Sequence, residues 1–193
     1  MDIIMIRHGE SEDNIRKVFS APETSLTKKG IEQILSTKNH LKNYEFASIY
    51  YSPFTRTDQT REHLGLKGKK ESRIAEVNFG IFTGLKYEEI IKLYPSESKE
   101  WIENPYSYDI PEGESIKTAY KRVVVFLEEI VSKDENVLLI THEGIIKIIC
   151  SWVFDNPYYF FKFKANNASL SIISVEDGYK FIKKLNIFNR LNT

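Results

Sequence analysis

Three short apolar runs, Ile3 to Ile6, Phe46 to Tyr51 and Val137 to Ile140, each stop abruptly at a polar cluster. Runs of that length without alternation suit strands buried on both faces, and such strands belong to parallel sheets covered by helices. The sequence between them supplies the helices. Thr27 is placed to cap a segment carrying Ile31, Ile34, Leu35 and Leu41 on one stripe, and Ile116, Ala119, Tyr120, Val123, Leu127 and Ile130 follow helical spacing. Ile145 to Phe154 contains Lys147 and is too short for a membrane span, so it reads as a core helix. Ser169 to Val175 and Tyr179 to Leu185 flank Glu176-Asp177-Gly178, whose Asp-Gly is a hairpin signal, so an antiparallel edge is expected. The expected fold is α/β, a three-layer sandwich with a mostly parallel mixed sheet, helices on both faces and a small cap insertion.

The cap is placed where the pattern weakens. At about 77–115 a helix-like Tyr87 to Tyr94 is followed by an aromatic-rich segment punctuated by Pro95, Pro105 and Pro111. The remainder is read as one domain over 1–193, long enough to bury its own core. The 27 Lys and Arg balance the 27 Asp and Glu, which leaves no basic footprint for nucleic acid or a membrane surface. One cysteine, Cys150, excludes an internal disulfide and, with four scattered histidines, the Cys-rich structural zinc sites. The N-terminal run is too short and too soon charged for a secretory leader, and a cytoplasmic protein is expected.

Ligands of open α/β sheets bind beyond the carboxyl ends of the strands, so the residues after the three runs are the place to look for chemistry. They are Arg7-His8-Gly9-Glu10, Ser52-Pro53-Phe54-Thr55-Arg56 and Thr141-His142-Glu143-Gly144. Arg7 and Arg56 hold matching positions, and two guanidinium forks around an imidazole make a cage for a tetrahedral dianion, which suggests phosphate. Positive charge beside His8 favours its neutral, nucleophilic form, so in-line attack at phosphorus and a phosphohistidine intermediate are chemically open to it.

The residues also carry a resemblance. Arg7-His8-Gly9-Glu10-Ser11 with Asn14 resembles the Arg-His-Gly signature of the histidine phosphatase superfamily, the phosphoglycerate-mutase-like proteins. Further blocks follow in order: Leu26-Thr27-Lys28-Lys29-Gly30 with Gln33, Ser52 to Thr57 with Gln59-Thr60, Glu76-Val77-Asn78-Phe79-Gly80 with Gly84, Gly113-Glu114-Ser115, and Thr141-His142. The resemblance implies that His8 is the nucleophile, that Arg7, Arg56 and His142 bind the phosphoryl oxygens, and that Asn14 borders the same pocket. It implies that Glu76 protonates the leaving oxygen and then serves as base for the hydrolytic water. The positive cage takes the place of metal ions, so no metal and no cofactor are expected.

The function expected on this basis is hydrolysis of a small phosphomonoester by a monomer or homodimer. Its rivals are a cofactor-dependent phosphoglycerate mutase and a non-catalytic phospho-ligand-binding module. A dinucleotide enzyme is weaker still, because no Gly-x-Gly-x-x-Gly follows the first run. The segment 77–115 has eight acids, three lysines and no arginine, a balance that repels a bisphosphorylated polyanion and disfavours the mutase. Two departures from the family pattern stand out. Ser20 and Glu23 replace a glycine and an aspartate common before Leu26-Thr27, and Glu143 replaces a frequent glycine, which lowers phosphate affinity or tunes protonation. The aromatics Phe79, Phe82, Tyr87, Tyr94, Trp101, Tyr106 and Tyr108 either accept the organic part of a monoester or pack the cap.

The remaining candidates have plainer readings. His40 and His63 are taken as solvated, Cys150 as a buried inert thiol, and Arg61 as a surface pairing residue. Tyr158 to Phe161 with Phe163 is read as core or a subunit contact, and Asn166 to Ser169 as turn formers.

Overall fold

The computed structural model describes residues 1–188. In chain order it runs β1 (Asp2–Arg7), α1 (Glu12–Arg16), α2 (Lys28–Leu41), β2 (Ser48–Tyr51), α3 (Thr55–Leu64), β3 (Lys69–Lys70), α4 (Tyr87–Leu93), α5 (Pro95–Glu103), α6 (Ile116–Val131), β4 (Val137–Thr141), α7 (Glu143–Trp152), β5 (Leu170–Glu176) and β6 (Tyr179–Ile187). Short 3-10 turns lie at Ser72–Ile74, Gly80–Phe82 and Pro157–Lys162. No described helix is long and apolar enough to cross a membrane.

The strands order as β3-β2-β4-β1-β5-β6, with β3, β2, β4 and β1 parallel and β5 and β6 antiparallel. Alternate residues of the central strands face opposite layers, as a pleated strand requires. Ile4, Ile6, Leu138 and Ile140 pack with Ile34 and Leu41 of α2 and Leu64 of α3. Ile3, Met5, Val137 and Leu139 pack with Val123, Phe126 and Leu127 of α6 and Ile145, Ile148 and Ile149 of α7. The result is the three-layer α/β sandwich with a mostly parallel sheet.

Local chemistry sets the element ends. Thr27 Oγ1 accepts the Gly30 amide at 2.9 Å and starts α2, and Ser115 does the same for α6 through the Thr118 amide. Gly65, at φ 73, closes α3. Asp177 and Gly178 both have positive φ, as a type I′ turn between β5 and β6 requires.

Several expectations shift. Leu35, expected on the buried stripe of α2, is 49% exposed, while Gly30 and Thr37 are buried instead. The second strand is shorter than the apolar run, because Phe46 and Ala47 lie before Ser48. The Pro-punctuated stretch contains α5, with Pro95 at its first turn, where a missing N–H costs nothing. His40 and His63 are half-buried rather than solvated.

Residues 77–115 form a subsidiary layer with its own small core of Phe82, Ile90 and Ile110, against which Phe19, Phe79 and Trp101 pack. Phe19 reaches this core from the loop after α1, with ring centroids 4.7 Å from Phe79 and 5.6 Å from Trp101. The segment thus packs against the loop that follows α1.

Candidate active site

Register brings the two histidines together. Arg7 pairs with Thr141 across parallel β1 and β4, so His8 and His142 each follow the same rung of the ladder. The His8 amide donates to Thr141 O at 3.0 Å, and the Ser52 amide, just past β2, donates to Ile140 O at 3.0 Å. The imidazole centroids of His8 and His142 are 5.2 Å apart.

His8 is buried, and its Nδ1 lies 2.7 Å from Gly9 O. A carbonyl only accepts, so this contact places the proton on Nδ1 and leaves the lone pair on Nε2. Arg56 Nε donates to that Nε2 at 3.3 Å. Burial first, then the charges of Arg56 and Arg7, hold the His8 pKa well below its ordinary value.

Arg56 comes from the first turn of α3 and is only 1% exposed. Its Nη1 donates to Ala21 O at 2.8 Å, and its guanidinium packs over the Phe54 ring. Among the described residues no carboxylate lies within ion-pair distance of it. Burial lowers its pKa to about 10, and a cation kept in such a place is the mark of an anion site. Arg7, at the end of β1, donates Nη1 to Ala165 O at 2.6 Å and pairs with Glu143 Oε2 at 2.8 Å, while its buried Nε has no partner.

His142 is fully buried, with Nε2 2.7 Å from Ser52 Oγ and Nδ1 buried without a partner. Burial and then Arg56 hold its pKa well below the ordinary value, so the ring is neutral. If Ser52 donates to Nε2, the proton of His142 lies on Nδ1 and that atom is a donor. Asn14 joins through a bridge: Asn167 Nδ2 donates to Asn14 Oδ1 at 2.9 Å and to His8 O at 3.4 Å. Asn14 Oδ1 also accepts the Ser11 amide, so the group this residue offers a ligand is its amide nitrogen.

Glu76 lies between the cage and a cavity. Its Oε1 accepts the Val77 amide at 3.1 Å and its Oε2 the Gly144 amide at 3.4 Å. Burial raises its pKa above the usual carboxylate value, against the opposing charges of Arg56 and Arg7. The cavity, about 310 Å³, is walled by Phe19, Phe79, Trp101, Tyr108, Phe160 and Phe161, and Glu76, Glu143, Gly144 and Lys147 line its floor. Such a space suits the organic part of a ligand whose charged end rests in the cage.

All six residues singled out in the sequence therefore belong to one region: Arg7, His8, Asn14, Arg56, Glu76 and His142. Of the seven aromatics, Phe79, Trp101 and Tyr108 line the cavity; Phe82 is buried in the subsidiary core, and Tyr106 meets Tyr158 and Phe161 edge-on. Sequence reasoning missed Phe19, Phe160, Phe161, Lys147 and the hydroxyl of Ser52 as site residues. Ser52 alone had a signal, since it is the first residue after β2. Arg61 pairs with Asp58 at 2.6 Å and stacks on Tyr51, clear of the cage. Burial pushes the Cys150 thiol up to about 12, where it is inert. Among the described residues no group of three or more His, Cys, Asp or Glu gathers in a way that would hold a metal ion.

Comparison with known proteins identifies the family and the fold. Residues 3–187 match the model of the Histidine phosphatase superfamily (branch 1). Phosphoserine phosphatase 1 of Hydrogenobacter thermophilus is 31% identical over 193 residues, covering 96% of this chain and 92% of that protein. Fructose-2,6-bisphosphatase of Saccharomyces cerevisiae is 30% identical over 161 residues, but this chain spans only 34% of its length. The alpha-ribazole phosphatase of Shigella flexneri has the same fold, with a TM-score of 0.89, 21% identity and full coverage of both chains. A mutant phosphoserine phosphatase from Entamoeba histolytica, in complex with phosphoserine, superposes with a TM-score of 0.81 at 22% identity over 96% of each chain.

Proposed function

The chain belongs to the histidine phosphatase superfamily, and we propose that it is a phosphomonoesterase working through a phosphohistidine on His8. One observation carries the reading: the Nδ1 contact of His8 with Gly9 O directs an unprotonated Nε2 toward the guanidinium of Arg56. A monoester dianion replaces that guanidinium contact with its own phosphorus at Nε2. Its non-bridging oxygens then take N–H donors from Arg7, Arg56, the Nδ1 of His142 and the amide of Asn14.

His8 Nε2 forms the P–N bond while the P–O bond to the organic group breaks, and protonated Glu76 gives its proton to the departing oxygen. Glu76, now a carboxylate, takes a proton from a water that attacks the phosphohistidine, which releases phosphate and restores neutral His8. Burial suits Glu76 to hold a proton at the start, and its place between cage and cavity suits it to meet the leaving oxygen. The two arginines supply the charge that metal ions supply elsewhere, so the reaction is metal-independent.

The segment 77–115 acts as the cap over the organic part, and a cytoplasmic setting fits a chain whose one cysteine is a buried thiol. The mutase alternative asks for cations to hold a second charged end. Among the residues lining the cavity the one basic side chain is Lys147, and Glu143 already pairs with it at 2.9 Å. A non-catalytic binding module would need neither the His8 tautomer nor a protonated Glu76.

The test is phosphate release from p-nitrophenyl phosphate in excess EDTA, by the wild type and by His8→Ala matched for folding by circular dichroism. Turnover by the wild type alone supports the reading. Equal turnover by His8→Ala removes the phosphohistidine, and no turnover by either removes the general phosphomonoesterase.

A further inference from the structure

We propose that Glu143 is a charge filter for the organic part of the substrate, selecting against monoesters that carry a second anionic group; this rests on the phosphomonoesterase reading above. Glu143 and Lys147 lie one turn apart at the start of α7, directly behind His142. Glu143 Oε2 is 2.8 Å from Arg7 Nη1 and its Oε1 is 2.9 Å from Lys147 Nζ, so one carboxylate joins the cage to the cavity floor. The side chains of Arg7, Glu143 and Lys147 are 12%, 28% and 20% exposed, little enough for their charges to escape full solvent screening.

The cavity has few other charges. Glu114 is taken by Arg122, at 2.7 Å and 3.0 Å, and Glu76 is held toward its neutral form by burial. Lys147 is thus the one cation an organic group entering the cavity can meet. It is held in place by its contact with the Phe160 ring as well as by Glu143. A carboxylate or second phosphate on the substrate would seek this ammonium and find it occupied.

Arrival of the phosphoryl group sharpens the effect. The dianion competes for Arg7 Nη1, and Glu143 Oε2, once released, is left as an acceptor on the cavity floor with Lys147 as its remaining counter-charge. The pair is then neutral overall and presents a carboxylate oxygen. It accepts a hydroxyl or amino donor and repels an anion. The favoured class is a monoester whose organic part is largely apolar and uncharged, or carries hydrogen-bond donors.

The test separates this filter from simple competition at Arg7. Binding of phenylphosphonate and of 4-carboxyphenylphosphonate, which differ by one carboxylate and are not hydrolysed, is measured by calorimetry for the wild type, Glu143→Gln and Glu143→Gln/Lys147→Met. Any change at Arg7 acts on both ligands and cancels in the ratio of their Kd values. Glu143→Gln is expected to shift that ratio at least about tenfold toward the carboxylated ligand, the size of a desolvated ion pair gained, and Lys147→Met to take the gain away. An unchanged ratio, with both ligands tightened equally or neither affected, overturns the filter. Survival of the gain without Lys147 overturns it too. Turnover of phenyl phosphate by the wild type is measured in parallel, so its absence would fall on the phosphomonoesterase reading and leave the binding ratio to decide the filter.

Discussion

A methyl group built on Gly144 would stand 2.4 Å from Oε1 of Glu76. The obstacle is the far end of a flexible side chain, so Gly144→Ala moves the carboxyl rather than the backbone. Alanine also favours the helix that begins there by up to about 1 kcal/mol. The variant is therefore expected to keep its melting temperature while kcat toward a poor leaving group falls at least about tenfold, with KM little changed. Thermal melts and steady-state kinetics on phenyl phosphate check both. A fall in stability with kcat preserved would mean that Glu76 is not the group transferring the proton.

A second close approach has the opposite consequence. Gly30, in the first turn of α2, would direct a Cβ to 2.1 Å from Glu10 O, and Gly9 would meet Gly30 O at 2.3 Å. Both obstacles are backbone, which cannot turn aside. Gly30→Ala should destabilise the fold by roughly 2–4 kcal/mol, as overpacking against rigid atoms does, and the loss should appear in denaturant midpoints. Activity per folded molecule falls with it, because the displaced loop carries the Gly9 carbonyl that holds His8 Nδ1. A variant as stable as the wild type would show that the loop and helix are not locked together.

These glycine contacts illustrate what could be read in advance. Gly9 and Gly30 were part of ordered sequence blocks, but nothing in either block says that the two backbones touch. The strands that place the site were legible because β1 and β4 are buried on both faces and so are apolar without a break. Position after a strand then singled out Arg7, His8 and His142, and register did the rest. Strand β3 was not legible, since Lys69 and Lys70 are exposed and owe their place to pairing with Tyr50 and Tyr51. Helix α5 was hidden by Pro95, a breaker inside a helix but a good first residue. The cavity walls come from the loop after α1, the segment 77–115 and the turn before β5. No spacing within one element tells that Phe19, Trp101 and Phe161 face the same space.

On the proposed mechanism, replacing Glu76 should strand the phosphohistidine. With p-nitrophenyl phosphate, whose leaving group departs without protonation, Glu76→Gln is expected to release about one nitrophenolate per active site in a burst and then slow at least about a hundredfold, since no base activates the water. Rapid-mix absorbance shows the burst, and acid-labile, base-stable phosphate on the protein identifies phosphohistidine. In the wild type, kcat/KM for phenyl phosphate, whose leaving oxygen does need a proton, should fall on the alkaline side as Glu76 loses its proton through its raised pKa, and on the acid side as His8 gains one. A linear progress curve in Glu76→Gln would assign the base elsewhere.

The same two buried imidazoles make the fold sensitive to acid. His8 and His142 have pKa values well below the ordinary 6.5, through burial first and then Arg56. For a group whose folded pKa is depressed, the unfolded chain binds more protons once pH drops below the unfolded value, so stability present above 6.5 is lost as pH falls toward the folded pKa. Glu76 has the opposite sign: its raised pKa favours the fold at low pH and costs stability as pH rises through it. Because two imidazoles oppose one carboxyl, the unfolding free energy should decline as pH falls below 6.5, and His142→Asn should flatten the decline. Denaturant titrations across that window give the slopes. A variant as acid-sensitive as the wild type would show that His142 is not held neutral by its burial beside Arg56.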